Sequence, residues 1–297
     1  MAALCAAAFI CLTGPLADTA GAAPLELLFV GNSYTHRLGG VPYVVRDLAV
    51  AAGFEEPYVA MRTTGGASLT DNFASSYVLS TVDERNWDWV VLQDYPTGPT
   101  HYDGGYPDNT ITAFMDASRD FDTRIDNSNT AHGWSSQIMF FETWAHEPGT
   151  NLDNGLPAYP VEFADPAAMM AELRTNYNAI GAELGMPVAP VGDVWEEAYN
   201  SIASFPSLDL YADDSHPNAL GIYLTSLVFL KMMYNVPDTT GLPYQNLGGK
   251  NYEGYVSVTA AQAAFVQGIA DAVVPEPTSV VILLGLGAVS FGRRRRT

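Results

Sequence analysis

The chain is poor in cysteine, in lysine and in positive charge generally. Its two cysteines, Cys5 and Cys11, both fall in an N-terminal stretch that reads as a leader, so residues beyond it have no thiol for disulfides or thiolate chemistry. The 297 residues include only two lysines, Lys231 and Lys250, and four of the arginines crowd positions 293 to 296. Setting those four aside, with the acids Asp18 and Glu276, leaves 9 of the 13 basic residues and 31 of the 33 acidic ones, a net of −22. A surface of that charge repels nucleic acid and other polyanions. Histidine is scarce too: the five are His36, His101, His132, His146 and His216. No internal repeat is visible. Asp120, Asp122, Asp126 and Asn127 lack the glycine and closing glutamate of a calcium loop, so a solvated acidic face accounts for them and no metal is expected.

The two ends read as processing signals. Residues 2–12 are small and apolar, Gly14 and Pro15 interrupt any helix, and Ala20-Gly21-Ala22 has the small-x-small form of a cleavage site; residues 1–22 are therefore expected to be a signal peptide. At the other end Val274-Pro275-Glu276-Pro277 precedes an apolar segment, Thr278–Phe291, and then Arg293 to Arg296. That segment is short of the ~20 residues of a comfortable span, and its arginines suit the cytoplasmic side. A plain membrane anchor is one reading. The order Pro-Glu-Pro, apolar stretch, arginine cluster resembles the PEP-CTERM sorting signal of Gram-negative bacteria. The resemblance, over 274–297, implies export and transient membrane association. It also implies cleavage by an exosortase-type enzyme and residence at the cell surface or in the extracellular matrix. Residues 24–273 remain, a length that suits one α/β domain.

Within that domain, apolar runs alternate with helical periodicity. Leu25–Val30, Tyr58–Met61, Trp87–Gln93, Gln137–Glu142 and Pro187–Val191 read as five buried strands. Helices are expected over Val41–Ala52, Leu69–Leu79, Thr110–Ile125, Ala167–Leu184, Val194–Ile202, Asn218–Tyr234 and Thr259–Val273. The best marked is Ala167–Leu184, with Asp165 as cap, Pro166 in the first turn and Gly185 as stop. Strands and helices in alternation imply a mostly parallel sheet covered on both faces. Residues 147–166 have no clear period and read as a lid or binding loop.

The first strand stops on Gly31-Asn32-Ser33-Tyr34, which sets a serine at the rim of the sheet. A serine hydroxyl needs a neighbouring base to act as a nucleophile. His216 suits that role, because Asp213 lies three residues before it and can hold the imidazole; Asp214 is a possible substitute. The order of four blocks resembles the SGNH (GDSL-type) hydrolase superfamily: Gly31-Asn32-Ser33-Tyr34, Thr64-Gly65-Gly66-Ala67-Ser68-Leu69, Val91-Leu92-Gln93-Asp94, and Asp213-x-x-His216-Pro217. The resemblance implies a three-layer α/β/α, flavodoxin-like fold with a five-stranded sheet, and acyl-ester hydrolysis or transfer without a cofactor. It implies Ser33 as nucleophile, His216 as base, Asp213 as its orienting acid, and an oxyanion hole from the N–H groups of Ser33 and Gly66 (Gly65 being the alternative) plus one side-chain amide. Two departures stand out. The first block reads GNSY, and the third has Gln93 in place of the superfamily's oxyanion asparagine, with Val91 for its glycine. Gln93 is either that amide donor, one methylene further out, or a structural amide between loops.

The aromatics Tyr34, Tyr95, Tyr102, Tyr106, Trp144 and Tyr159 lie in or near the rim loops and suit stacking on sugars; of these Tyr34 and Trp144, with Asp94, are expected to contact substrate. His146 is given a minor role in the pocket, and His101 a place on its rim. The expected function is hydrolysis of acyl esters, acetyl above all, on a carbohydrate or extracellular polysaccharide. A sugar O-acyltransferase and a non-catalytic polysaccharide-binding protein are the alternatives.

Overall fold

In a computed structural model, residues 23–102, 109–147, 163, 165–249 and 254–274 are described. The leader, the sorting segment past Val274, nearly all of the 147–166 loop, and Tyr106 and Tyr159 lie outside the described residues. The chain opens with strand β1 (Glu26–Gly31), the helical turn α1 (Ser33–His36) and helix α2 (Val41–Ala51). Strand β2 (Tyr58–Thr63) leads to α3 (Leu69–Ala74) and α4 (Ser76–Val82), and β3 (Trp89–Leu92) to α5 (Ile111–His132). Then come β4 (Ile138–Phe141), α6 (Pro166–Leu184), β5 (Val188–Ala189), α7 (Val191–Asn200), α8 (Ala219–Tyr234) and α9 (Ala260–Val273).

The five strands form one sheet in the order β2-β1-β3-β4-β5, and every pairing is parallel. This is the flavodoxin-like order, whose direction of winding reverses between β1 and β3; ligands of such sheets sit at the strand ends near that reversal. Gly31 pairs with Thr63, and Val30 with Leu92, so β1, β2 and β3 end level with one another at that rim. Alternate β1 residues serve opposite faces. Leu27 and Phe29 join the core under α2, α7, α8 and α9, while Leu28 and Val30 join the one under α3, α4, α5 and α6. Burial on both faces explains why the strands are apolar runs rather than alternating ones. Helix α8 is buried nearly all round, and its Lys231 ammonium is satisfied inside by Pro237 C=O at 2.7 Å and Asp271 Oδ1 at 2.9 Å.

The three-layer α/β/α expectation is therefore met, with local differences. The single helix expected over Leu69–Leu79 divides at Ser75, whose extended backbone (ψ 112°) ends α3 and whose hydroxyl accepts Val78 N–H to begin α4. Helix α5 continues past Ile125 to His132, where Gly133 closes it in the left-handed conformation (φ 71°). Its buried side holds Phe114, Ala117, Phe121, Ile125 and Ser128, a thin helical stripe that the surrounding acids obscure in sequence. Strand β5 shrinks to two residues, and α7 starts at Val191, ahead of Val194.

Candidate active site

The turn that bears Ser33 is held by buried amides. β1 ends at Gly31, where an added Cβ would lie 2.5 Å from Gln93 Oε1, so only glycine fits. Asn32 then caps α1: its Oδ1 accepts Tyr34 N–H at 3.1 Å, and its Nδ2 donates to Ala67 C=O at 2.9 Å and Asp94 C=O at 3.2 Å. One side chain thus ties the loops that follow β2 and β3 to the turn bearing Ser33. Asn72 adds a second tie, donating to Gly31 C=O at 3.2 Å and Ser68 C=O at 2.9 Å. Neither bracing role is visible in sequence: Asn72 carries no signal there, and Asn32 stands out only as part of the motif.

The loop before α8 brings His216 to this turn. Ser33 Oγ lies 2.9 Å from His216 Nε2 although 183 positions separate them. Behind the ring, His216 Nδ1 lies 2.9 Å from Asp213 Oδ2 and 3.0 Å from Oδ1. Asp213 Oδ1 also accepts the N–H groups of His216 (2.8 Å) and Ser215 (3.0 Å), an arrangement that the spacing of three produces directly. Partial burial works to raise the Asp213 carboxyl, but those donors and the imidazole hold it below the ordinary carboxylate range. Asp213, and not Asp214, occupies the place behind the ring; Asp214 instead accepts Glu147 N–H on its backbone carbonyl oxygen at 2.9 Å. Asn218 caps α8 with bonds to Leu220 and Gly221 N–H, which fixes the exit of the loop.

Gly66 lies in an exposed turn after β2 with φ 72°, and Thr64 N–H donates to Gly31 C=O at 3.3 Å, so this turn borders the serine. Gln93 is placed otherwise than an oxyanion donor requires, and that expectation is corrected. It is fully buried behind the turn, its Oε1 accepts Asn32 N–H (2.9 Å) and Thr35 Oγ1 (3.0 Å), and its Nε2 donates to Asp94 C=O. Its amide braces the loops. Asp94 is also sealed, accepting Leu69 N–H at 2.6 Å, and burial raises its carboxyl to about 6 against the pull of the Leu69 and Tyr95 N–H groups.

Tyr34 and Trp144 are likewise in the core, 1% and 0% exposed, so neither offers a ring face at the surface as expected for sugar stacking. They stack on each other at 4.4 Å, and Trp144 stacks on Trp195 at 4.0 Å. This column backs the Ser33–His216–Asp213 cluster: Tyr34 meets the His216 ring edge-on at 5.8 Å, and Trp144 Nε1 donates to Ser215 C=O at 2.9 Å. On its far side lies a cavity of about 220 Å³ bordered by Trp144, Trp195, Tyr199, Tyr211, Glu196 and Asn200, among others. His146 lies within electrostatic range of His216, and burial, reinforced by that neighbour, pushes its imidazole down to about 4. His101 is exposed at the rim and pairs with Glu172 at 2.6 Å. Glu142, just past β4, is buried; burial and the nearby Asp193 raise its carboxyl to about 8. Among the described residues no group of His, Cys, Asp or Glu side chains is arranged to hold a metal, and no helix is long and apolar enough to cross a membrane.

Comparison with known proteins bears on the fold and the C-terminus. Residues 273–296 match the PEP-CTERM protein-sorting motif, which directs export to the surface or exterior of Gram-negative cells. No curated protein matches this sequence. Among solved structures, a protein of Slackia heliotrinireducens assigned as an SGNH hydrolase is 19% identical, with 71% of this chain and 100% of that one aligned at a TM-score of 0.51. The acetyl xylan esterase AlAXEase is 15% identical over 70% of this chain and 99% of its own, with a TM-score of 0.53. LAE5, an alpha/beta hydrolase enzyme from the metagenome of Lake Arreo, Spain, is 16% identical over 70% and 94%, with a TM-score of 0.52. At such identities the likeness establishes the architecture: this protein has the α/β/α fold of the SGNH hydrolases.

Proposed function

We propose that the protein is an exported serine esterase that removes acyl groups, acetyl above all, from a carbohydrate or extracellular polysaccharide. The observation that carries the reading is the 2.9 Å approach of Ser33 Oγ to His216 Nε2, with the Asp213 carboxylate 2.9 Å behind the ring. His216 takes the Ser33 proton as Oγ attacks the ester carbonyl. The N–H groups of Ser33 and Gly66 receive the developing oxyanion. Collapse breaks the bond to the leaving alkoxide, which His216 protonates to the free alcohol, and Ser33 keeps the acyl group as an ester. Water, deprotonated by His216, then attacks that ester, and the carboxylic acid leaves as Ser33 regains its proton. Asp213 keeps the imidazole in the required tautomer and balances its charge throughout.

The carbohydrate part rests on the fold shared with an acetyl xylan esterase, on the sorting motif and on the strongly acidic surface, which disfavours polyanionic substrates. Acetate release from aryl acetates and from acetylated xylo-oligosaccharides tests the reading. The wild type is expected to hydrolyse both, and Ser33→Ala to lower the rate by ~10³-fold or more. Equal rates in the two proteins would refute the assignment. The withdrawn Gln93 amide favours a second reading, a polysaccharide-binding surface protein on the same fold, which predicts sugar binding with no acetate released.

A further inference from the structure

Resting on the esterase reading, we propose that Arg37 is a positioning residue that fastens the Asp213 carboxylate to the helical turn bearing Ser33. Among the side-chain contacts that join this turn to the distant acid loop are Ser33 Oγ with His216 Nε2 at 2.9 Å and Arg37 Nη1 with Asp213 Oδ2 at 3.5 Å. The two oxygens of Asp213 are treated differently. Oδ1 is held by the loop's own N–H groups, from Ser215 and His216, whereas Oδ2, the oxygen 2.9 Å from the imidazole Nδ1, takes its contact from outside the loop, from Arg37.

That outside contact matters because the Asp213 side chain is 48% exposed, so water competes for Oδ2 even though the loop's N–H groups hold Oδ1. A fixed cation beside Oδ2 opposes that competition and keeps negative charge where the imidazolium forms. Arg37 is well placed for the task. Its N–H donates to Ser33 C=O at 3.1 Å as the cap of α1, and its C=O accepts Gly40 N–H at 3.1 Å. Leu38, Gly39 and Gly40 follow with φ of 40°, 72° and 74°, a left-handed run that turns the backbone sharply. Gly39 C=O accepts Gly249 N–H at 2.8 Å, pinning that turn to the body of the protein. The backbone of Arg37 thus holds the nucleophile's residue while its guanidinium holds the acid.

The test is aryl-acetate kinetics and thermal melting of the wild type, Arg37→Gln, Arg37→Lys, Asp213→Asn and the Arg37→Gln/Asp213→Asn double variant. An exposed ion pair of this kind is expected to change kcat by about two- to five-fold. Arg37→Gln should show that loss with KM unchanged, and wild-type kcat should fall toward it in high salt. Arg37→Lys, which keeps the charge, should recover at least half of the rate. In the Asp213→Asn background the Arg37→Gln loss should vanish, the signature of two residues acting as one. Equal losses with Gln and Lys, or the same loss with Asp213 already neutral, would overturn the role of Arg37 and leave the triad standing. A wild type without hydrolysis, or a fully active Asp213→Asn, would instead remove the triad reading and the role of Arg37 with it.

Discussion

Two polar clusters share the C-terminal rim of the sheet, and they live in different solvents. Ser33, His216 and Asp213 stand at the surface, with the His216 and Asp213 side chains 31% and 48% exposed. Gln93, Asp94 and Glu142 are sealed beneath the rim, all at 2% exposure or less. Both clusters are built from ordinary polar side chains, so composition does not separate them. What separates them is where their hydrogen bonds go. In the sealed cluster Gln93 and Asp94 are bound to backbone groups of neighbouring loops, which fixes geometry and leaves little for a ligand. In the open cluster the bonds run from one side chain to the next and end on the Ser33 hydroxyl at the surface. The buried group is scaffold, and the exposed group is where a proton can move back and forth.

Substitutions can break that division, and the largest effect is expected in the open cluster. Replacing Asp213 with Ala should cut kcat by ~10²–10⁴-fold while the melting temperature stays within a few degrees. A large loss of melting temperature with kcat preserved would make Asp213 scaffold. Gln93 should behave in the opposite way. Gln93→Ala removes the buried acceptor of the Asn32 N–H and the Thr35 hydroxyl, so chemical denaturation should show a loss of about 2–4 kcal/mol. If stability held and kcat alone fell ~10²-fold, Gln93 would belong to the oxyanion hole after all.

The smallest effect concerns Glu142 and its pH dependence. Its carboxyl is raised to about 8 in the folded protein from 4.5, so between those values the folded state holds a proton that the unfolded state has lost. The stability it contributes is full below pH 4.5 and is lost as pH rises through 8. Glu142→Gln should therefore melt at a nearly pH-independent offset below about pH 4.5 and gain on the wild type progressively from about pH 5 to 8. Parallel melting curves for the two proteins across that range would show that Glu142 is already ionised in the fold.

The contrast also explains what the sequence could and could not reveal. Leu27 to Val30 announced a doubly covered strand because both faces of β1 are apolar, and the sheet followed from such runs. The Asp213–His216 pair was legible because it is local: one short loop forms it. Arg37 was not, since nothing in a Gly-rich turn foretells a partner 176 positions away. For Gln93, Asp94, Tyr34 and Trp144 the sequence marks the right place at the ends of β1, β3 and β4. Which way a side chain turns there, up into solvent or down between loops, is decided by tertiary packing. The Tyr34–Trp144–Trp195 column illustrates this, because Trp195 comes from α7, a helix that the sequence marks only as short.

One measurement tests the centre of the account: reaction of the folded protein with a fluorophosphonate, located by peptide mass spectrometry. Near-stoichiometric phosphonylation of Ser33, abolished in His216→Ala while that variant melts like the wild type, is the predicted result. A folded protein that stays unlabelled, or one labelled equally well without the imidazole, would contradict it.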